Sequence, residues 1–308
     1  MKRELGLDQI TRDPTSVVTV GTFDGVHLGH QAVLEYLIRR ASEQDGRSVV
    51  LSFDPHPRQV VHEEDVPLLT TIEERADAME DLGIDRFIVI PFTTEFSKLQ
   101  AEDFVRSILV DRIGLREIVI GYDHAFGRDR RGDAELLAVL GREHGFTVDV
   151  IPPQVVRQHV VSSSELRHII AAEGDVKLAA QMLGRPYSFR GTVLRGEGRG
   201  RGIGFPTANL RPDHPKKVIP AVGVYAVRVR HGSEIHPGMM NIGHRPTFGE
   251  GRLALEVHLL DFDEDLYGRD LRVEFVARMR DERKFESREA LTQQLSKDRA
   301  RCIDLLGG

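Results

Sequence analysis

Along the first half of the chain, short apolar runs alternate with stretches of helical spacing. Val17, Val18, Thr19 and Val20 form a buried-strand pattern, Gly21 to Gly25 interrupts it, and Leu28, Val33, Leu34, Leu37 and Ile38 then recur at helical intervals. The alternation repeats. Strands are predicted at 47–53, 86–92, 117–121 and 147–151, and helices at 72–82, 101–113 and 133–144. Repeated β-α units predict a doubly wound parallel sheet with helices on both faces. Residues 175–183 read as a bridging helix, closed by Gly184-Arg185-Pro186. Beyond it the period changes. Strand patterns at 189–194, 222–230, 239–243, 253–260 and 271–279 are punctuated by Gly, Pro and Asp, which predicts a small antiparallel β-barrel. Helical spacing returns over 287–306. The pattern divides the chain into a doubly wound α/β domain, 1–183, and a barrel domain, 184–308.

Parallel sheets bind ligands at the carboxyl ends of their strands. The turn Gly21–Gly25, the loop Asp54-Pro55-His56-Pro57 and the loop Gly121-Tyr122-Asp123 all follow strands, so they should share one rim. The first of these turns opens a helix. Unpaired backbone N–H groups and the positive end of the helix dipole then face whatever lies above the strand end, which suits a phosphate. His27 and His30 project from one face at the mouth of that helix, and Gly29 between them permits close approach to the backbone. Two imidazoles suit negative charge developing on a phosphate. A metal pair would need further ligands, and no compact cluster of that kind is visible.

Further along, Ser162-Ser163-Ser164-Glu165-Leu166-Arg167 fits a capping box through Ser162 and Glu165. The same hydroxyls and Arg167 also suit a phosphate chain. Arg195 to Gly204 is glycine-rich and basic. Phe205-Pro206 forbids the helix that a dinucleotide fingerprint would need, so a flap over a polyphosphate fits better. In Pro206-Thr207-Ala208-Asn209, Thr207 and Asn209 offer hard oxygens on one face of an extended chain; a Mg²⁺ site and a polar turn both fit. Glu256 and His258 share a strand face, where Glu256 is either a solvated carboxylate or a general base. No P-loop lysine motif occurs.

The totals narrow the setting. A net charge of -6 over 308 residues does not favour nucleic acid or anionic membrane. The single cysteine, Cys302, excludes an internal disulfide and fits a reducing compartment. No signal-peptide pattern or bilayer-length apolar run occurs, so a cytoplasmic protein is expected.

With these motifs in hand, the chain resembles the bacterial bifunctional riboflavin kinase/FMN adenylyltransferase family, also called FAD synthetases. Gly21-Thr22-Phe23-Asp24-Gly25-Val26-His27-Leu28-Gly29-His30 matches the adenylyltransferase signature. Val161 to Arg167 is similar to the second phosphate motif, with Ser164 for threonine and Leu166 for isoleucine. Gly121 to Gly127 follows a family loop, departing at His124-Ala125. Pro206 to Asn209, Asn241-Ile242-Gly243 and Arg245-Pro246-Thr247-Phe248 match the kinase module.

The resemblance implies riboflavin, FMN and ATP as substrates, with Mg²⁺ as cofactor. Thr207 and Asn209 would hold the metal, and Glu256 would be the catalytic base. His27 and His30 would stabilise adenylyl transfer. Binding roles fall to Gly21, Phe23, Asp24, Gly29, Asp123, Ser163, Ser164 and Arg167 in the first domain. Gly202, Gly204, Arg280, Arg283 and Phe285 take them in the second, with Phe126 and Phe248 further candidates near the flavin. Two rivals remain: a flavin-binding protein with a dead first site, and another nucleotidyltransferase fused to an unrelated barrel.

Overall fold

Six parallel strands carry the first half of the chain. The computed structural model describes residues 1–8, 10–195, 202–244 and 253–307. Two compact units, Met1–Ser163 and Ser164–Gly308, divide the backbone. The first unit runs β1 (Lys2–Leu5), β2 (Ser16–Val20), α1 (Leu28–Glu43), β3 (Arg47–Asp54), α2 (Pro57–Val61), α3 (Ile72–Leu82), β4 (Arg86–Pro91), α4 (Thr94–Ser97), α5 (Ala101–Asp103), β5 (Leu115–Gly121), α6 (Ala134–His144) and β6 (Thr147–Ile151). A two-residue hairpin, β7 (Val155–Val156) with β8 (His159–Val160), follows.

The sheet order is β1-β4-β3-β2-β5-β6. The chain leaves β2 towards β3 on one side and returns to β5 on the other. Its topological switch point, where such sheets bind ligands, therefore lies beside β2. Alternate side chains feed opposite layers. Val18, Val20, Val49 and Leu51 pack with Phe104–Ile113 and α6, whereas Val17, Val50, Phe87 and Val119 pack with α1 and α3. The segment expected to be one α-helix over 101–113 is α-helical only in α5; it continues as wider π-helical turns, Phe104–Ile113. β1 and the β7–β8 hairpin are too short to show a period in the sequence.

In the second unit, α7 (Ser163–His168, whose first residue closes the first unit) and α8 (Val176–Leu183) precede the strands. The helix read as a bridge lies within this unit, and the turn before it is tied to the barrel. The Ala221 amide donates to the Ile170 carbonyl, and Arg278 donates to the Glu173 carbonyl. Six antiparallel strands then close into a barrel: β9 (Ser188–Leu194), β10 (Ala208–Pro212), β11 (Gly223–His231), β12 (Glu234–His244), β13 (Leu253–Leu259) and β14 (Asp270–Arg280), in the order β10-β13-β12-β11-β14-β9. β10 has no strand pattern of its own and is held by pairing with β9 and β13. Tyr225, Phe189 and Phe275 fill the barrel. α9 (Arg288–Leu306) is capped by Ser287 and packs Cys302 against Val224, Ala226 and Met239. Part of the basic flap, 196–201, and the motif Arg245 to Phe248 lie outside the described residues.

Candidate active sites

In the first unit the turn after β2 is bent hard. Phe23, Gly25 and Val26 have φ of 50°, 88° and 41°. A β-branched residue in the left-handed region is strained, and such strain collects where geometry serves function. The turn aims the chain into α1. His27 is the N-cap of α1, its Nδ1 accepting from the His30 amide at 3.3 Å. In the neutral ring the proton then sits on Nε2. The two imidazoles stack at 3.6 Å between centroids, tilted 17°, with the Phe23 ring edge-on to His30 at 5.1 Å. Gly29 is tightly hemmed: a Cβ there would stand 3.2 Å from the His27 ring and 3.4 Å from the Val161 carbonyl. Gly21 similarly leaves room for Phe23, 3.1 Å from where its Cβ would be.

Asp24 faces the protein interior and is completely buried. Its carboxylate accepts from the Leu69 and Thr70 amides and the Thr70 hydroxyl, at 2.8–3.0 Å. Thr70 Oγ1 in turn accepts from the Gly25 amide at 2.9 Å. Buried Arg75 donates to Ser52 Oγ (3.0 Å) and to the Thr70 carbonyl (3.3 Å), 3.7 Å from Asp24. Ser52 donates to the Thr22 carbonyl. Ser163 Oγ, at the end of the first unit, donates to the Asp24 carbonyl at 2.9 Å. In this structure Asp24 thus shapes the turn, and a bound nucleotide would not reach its buried carboxylate. Ser52, Thr70 and Arg75 escaped the sequence reading. The sequence signal available was the capping box of Thr71 and Glu74 that starts α3, but it says nothing about the turn at 22–25.

The rim also carries an aromatic series of which the sequence motifs contain only Phe126 and His124. Phe53 meets Phe92 and Phe96, Phe96 meets Phe104, and Phe104 meets Phe126, all at 5.4–6.2 Å; His124 stacks on Phe126 at 5.5 Å. Phe104 is buried in the core; of the half-buried others, Phe53 lies near the end of β3, Phe92 follows β4, Phe96 lies in α4, and His124 and Phe126 lie in the loop after β5. Asp123 is exposed in the turn after β5. Ser164 and Arg167 follow Ser163 on α7.

The barrel brings Asn209, Glu256 and Asn241 onto one rung. Asn209 pairs with Glu256 across β10–β13, and Asn241 pairs with Glu256 across β12–β13. Directly opposed residues share a face. Leu255, Val257 and Leu259 point inward, so Glu256 stands on the outer, half-exposed face. Thr207 is exposed just before β10. Gly202 and exposed Gly204 (φ of 80°) lead into it. Arg280 is spent on buried Asp298, with Nη2 at 2.7 Å and Nε at 3.0 Å, and so fastens α9 to β14. Exposed Arg283 stacks over Phe285 at 4.9 Å and pairs with Gln294.

Among the described residues no group of three His, Cys, Asp or Glu side chains could hold a metal. A hydroxyl, an amide oxygen and a nearby carboxylate are the donor set for a magnesium ion that takes most of its other ligands from phosphate and water, so Thr207 and Asn209 fit it.

An open α/β sheet with an anion-receiving turn, joined to a barrel that aligns a carboxylate with hard oxygen donors, defines a phosphate-transferring enzyme of two catalytic domains. A family model described as FAD synthetase matches residues 9–165, and one described as riboflavin kinase matches residues 183–306. The chain belongs to the bifunctional riboflavin kinase/FMN adenylyltransferase family.

It is 39% identical over 289 residues to the bifunctional riboflavin kinase/FMN adenylyltransferase of Listeria monocytogenes, covering 93% of this chain and 91% of that one. It is 41% identical over 283 residues to the Pseudomonas fluorescens protein of that name, covering 92% and 90%. A crystal structure described as a macrolide-efflux protein from Streptococcus pneumoniae matches with a TM-score of 0.89 at 31% identity, over 97% of each chain. Among the described residues no helix is long and apolar enough to cross a membrane. The chain is an enzyme of flavin cofactor biosynthesis, with riboflavin, FMN and ATP as substrates.

Proposed function

We propose that the two reactions are carried by separate residue sets, one in the domain 1–183 and one in 184–308. In the barrel, Glu256 accepts the proton of the ribityl 5′-hydroxyl as that oxygen attacks the γ-phosphate of ATP, giving FMN and ADP. Thr207 and Asn209 would hold Mg²⁺, which when bound neutralises phosphate charge. Gly202 and Gly204 belong to the flap over the phosphates, and Arg283 and Phe285 border the flavin. Arg280 acts there through its hold on Asp298.

In the α/β domain, the FMN phosphate attacks the α-phosphate of ATP, and pyrophosphate leaves as FAD forms. The nucleophile is already an anion, so alignment and charge stabilisation suffice. His27 and His30 meet the charge at the α-phosphate. Backbone amides of the Gly21–Gly29 turn cradle the phosphates, and Ser163, Ser164 and Arg167 hold the leaving pair. The half-buried rings Phe53, Phe92, Phe96 and Phe126 form an apolar border for the flavin ring, with Asp123 at its edge. A reducing cytoplasm suits the free thiol of Cys302.

One observation supports the reading most: His27 and His30 stack at the head of α1, and Glu256 stands directly opposite Asn209 in the barrel. The test separates FMN from FAD chromatographically after incubation with riboflavin, Mg²⁺ and ATP. Glu256→Gln should abolish FMN formation and leave FMN-to-FAD conversion intact. His30→Ala should form FMN normally and lose about two to three decades in FAD formation. An unchanged kinase rate in the first variant, or unchanged FAD output in the second, overturns the corresponding assignment.

A further inference from the structure

His258 stands two residues from Glu256 on β13, on the same outer face. Its Nδ1 lies 2.7 Å from the Pro206 carbonyl oxygen. A carbonyl only accepts, so Nδ1 carries a proton and donates. The edge of the Phe205 ring meets the imidazole at 5.3 Å between centroids. Both contacts fall on the two residues immediately before Thr207.

The ladder explains why a side chain is needed there. β10 pairs with β13 at Ala208–Val257 and Asn209–Glu256. One rung further out, Thr207 would face His258, but β10 begins only at Ala208. Pro206 has no N–H to give and Thr207 is exposed, so backbone pairing does not hold this lead-in. The imidazole takes over where the ladder ends. It grips the carbonyl of the peptide whose nitrogen belongs to Thr207.

We propose that His258 is a positioning residue for the kinase reaction: by clamping the Pro206 carbonyl it fixes the Thr207 peptide, and with it the phosphate-facing oxygen of Thr207, relative to Glu256. The proposal rests on the reading of Thr207 and Asn209 as the metal–ATP ligands. It assigns His258 no contact with substrate and no proton transfer.

Three variants of the full chain separate the possibilities. His258→Leu keeps bulk and removes the donor. His258→Asn restores one, because its amide nitrogen lies as many bonds from Cβ as Nδ1 does. Thr207→Ala tests the underlying reading. His258→Leu should lower kinase kcat/KM for Mg–ATP roughly three- to tenfold, the ordinary worth of one hydrogen bond, mainly through KM for ATP. Its KM for riboflavin, its FMN-to-FAD activity and its Tm should stay unchanged. His258→Asn should recover most of the loss, and Thr207→Ala should lose kinase activity outright. The proposal falls if Thr207→Ala is inactive as a kinase while His258→Leu keeps its KM for ATP. It falls equally if His258→Asn is as impaired as His258→Leu. Full kinase activity in Thr207→Ala would instead overturn the underlying reading of the metal loop, and the His258 proposal with it.

Discussion

The ring of His27 caps a helix and, in the proposed mechanism, also serves adenylyl transfer, and the two services can be parted. Its Nδ1 caps α1 through the His30 amide, while the ring stacks on His30. Asparagine also caps well but has no imidazole. His27→Asn should therefore hold stability to within about 1 kcal/mol by denaturant titration, while FAD formation falls steeply. Cys302 gives a second residue-scale prediction. Burial pushes its thiol up to about 11 from an ordinary 9.0. The proton is then held more tightly in the folded chain than in the unfolded one. The stability this contributes is fully present below pH 9 and is lost as pH rises towards 11. Iodoacetamide at pH 8 should label Cys302 only in denaturant, because the thiolate is the reactive form. At this scale the sequence offered His27, His30 and Glu256 as candidates, because their motifs are local. It hid Ser52, Thr70 and Arg75, because each reaches the turn at 22–25 from a distant segment through ordinary polar atoms. Asp24 was expected to bind ligand from its place in the motif, whereas its carboxylate is buried and accepts from the Leu69 and Thr70 amides.

Among elements, those with a strong period were legible to within a residue or two: β2, β3, α3, β6 and α9. The exceptions have physical causes. The π-helical stretch Phe104–Ile113 keeps a helical apolar spacing, so the sequence cannot tell its wider turns from α. Its end is set by Gly114, with φ of 90° and space for a Cβ only 2.4 Å from the Asp13 carbonyl. Gly114→Ala meets both obstacles. It should destabilise the first unit by about 1–3 kcal/mol in denaturant titration, without changing kinase KM values. β10 was legible only as an extended polar stretch, because its partners lie before it on β9 and more than forty residues after it on β13. The aromatic series from Phe53 to Phe126 spans three β-α units and has no period at all; only the parallel sheet gathers it on one rim.

At the scale of the whole chain, an α/β part followed by a barrel was legible because the β-α alternation gives way after Pro186 to a run of strands, with helical spacing returning only over 287–306. The two residue sets proposed above, if they work independently, give the molecule its own internal control. Neither Glu256→Gln nor His30→Ala alone should make FAD from riboflavin at a normal rate. Mixed in equal amounts, they should make it after a lag, as FMN from one chain reaches the other. A mixture that accumulates FMN without FAD would contradict independent working of the two sets.

The two sheets also differ in how they end. A ring of strands has no first or last member, so the barrel offers a neighbouring molecule no open row of amides and carbonyls. The parallel sheet ends twice, at β1 and β6. β1 is short and carries Lys2, Arg3 and Glu4, the usual deterrent to intruding strands. β6 is guarded less, with Val150 about half exposed (48%). Any crowding-driven growth by strand addition is thereby confined to the half of the molecule that makes FAD, and the half that makes FMN is exempt by closure.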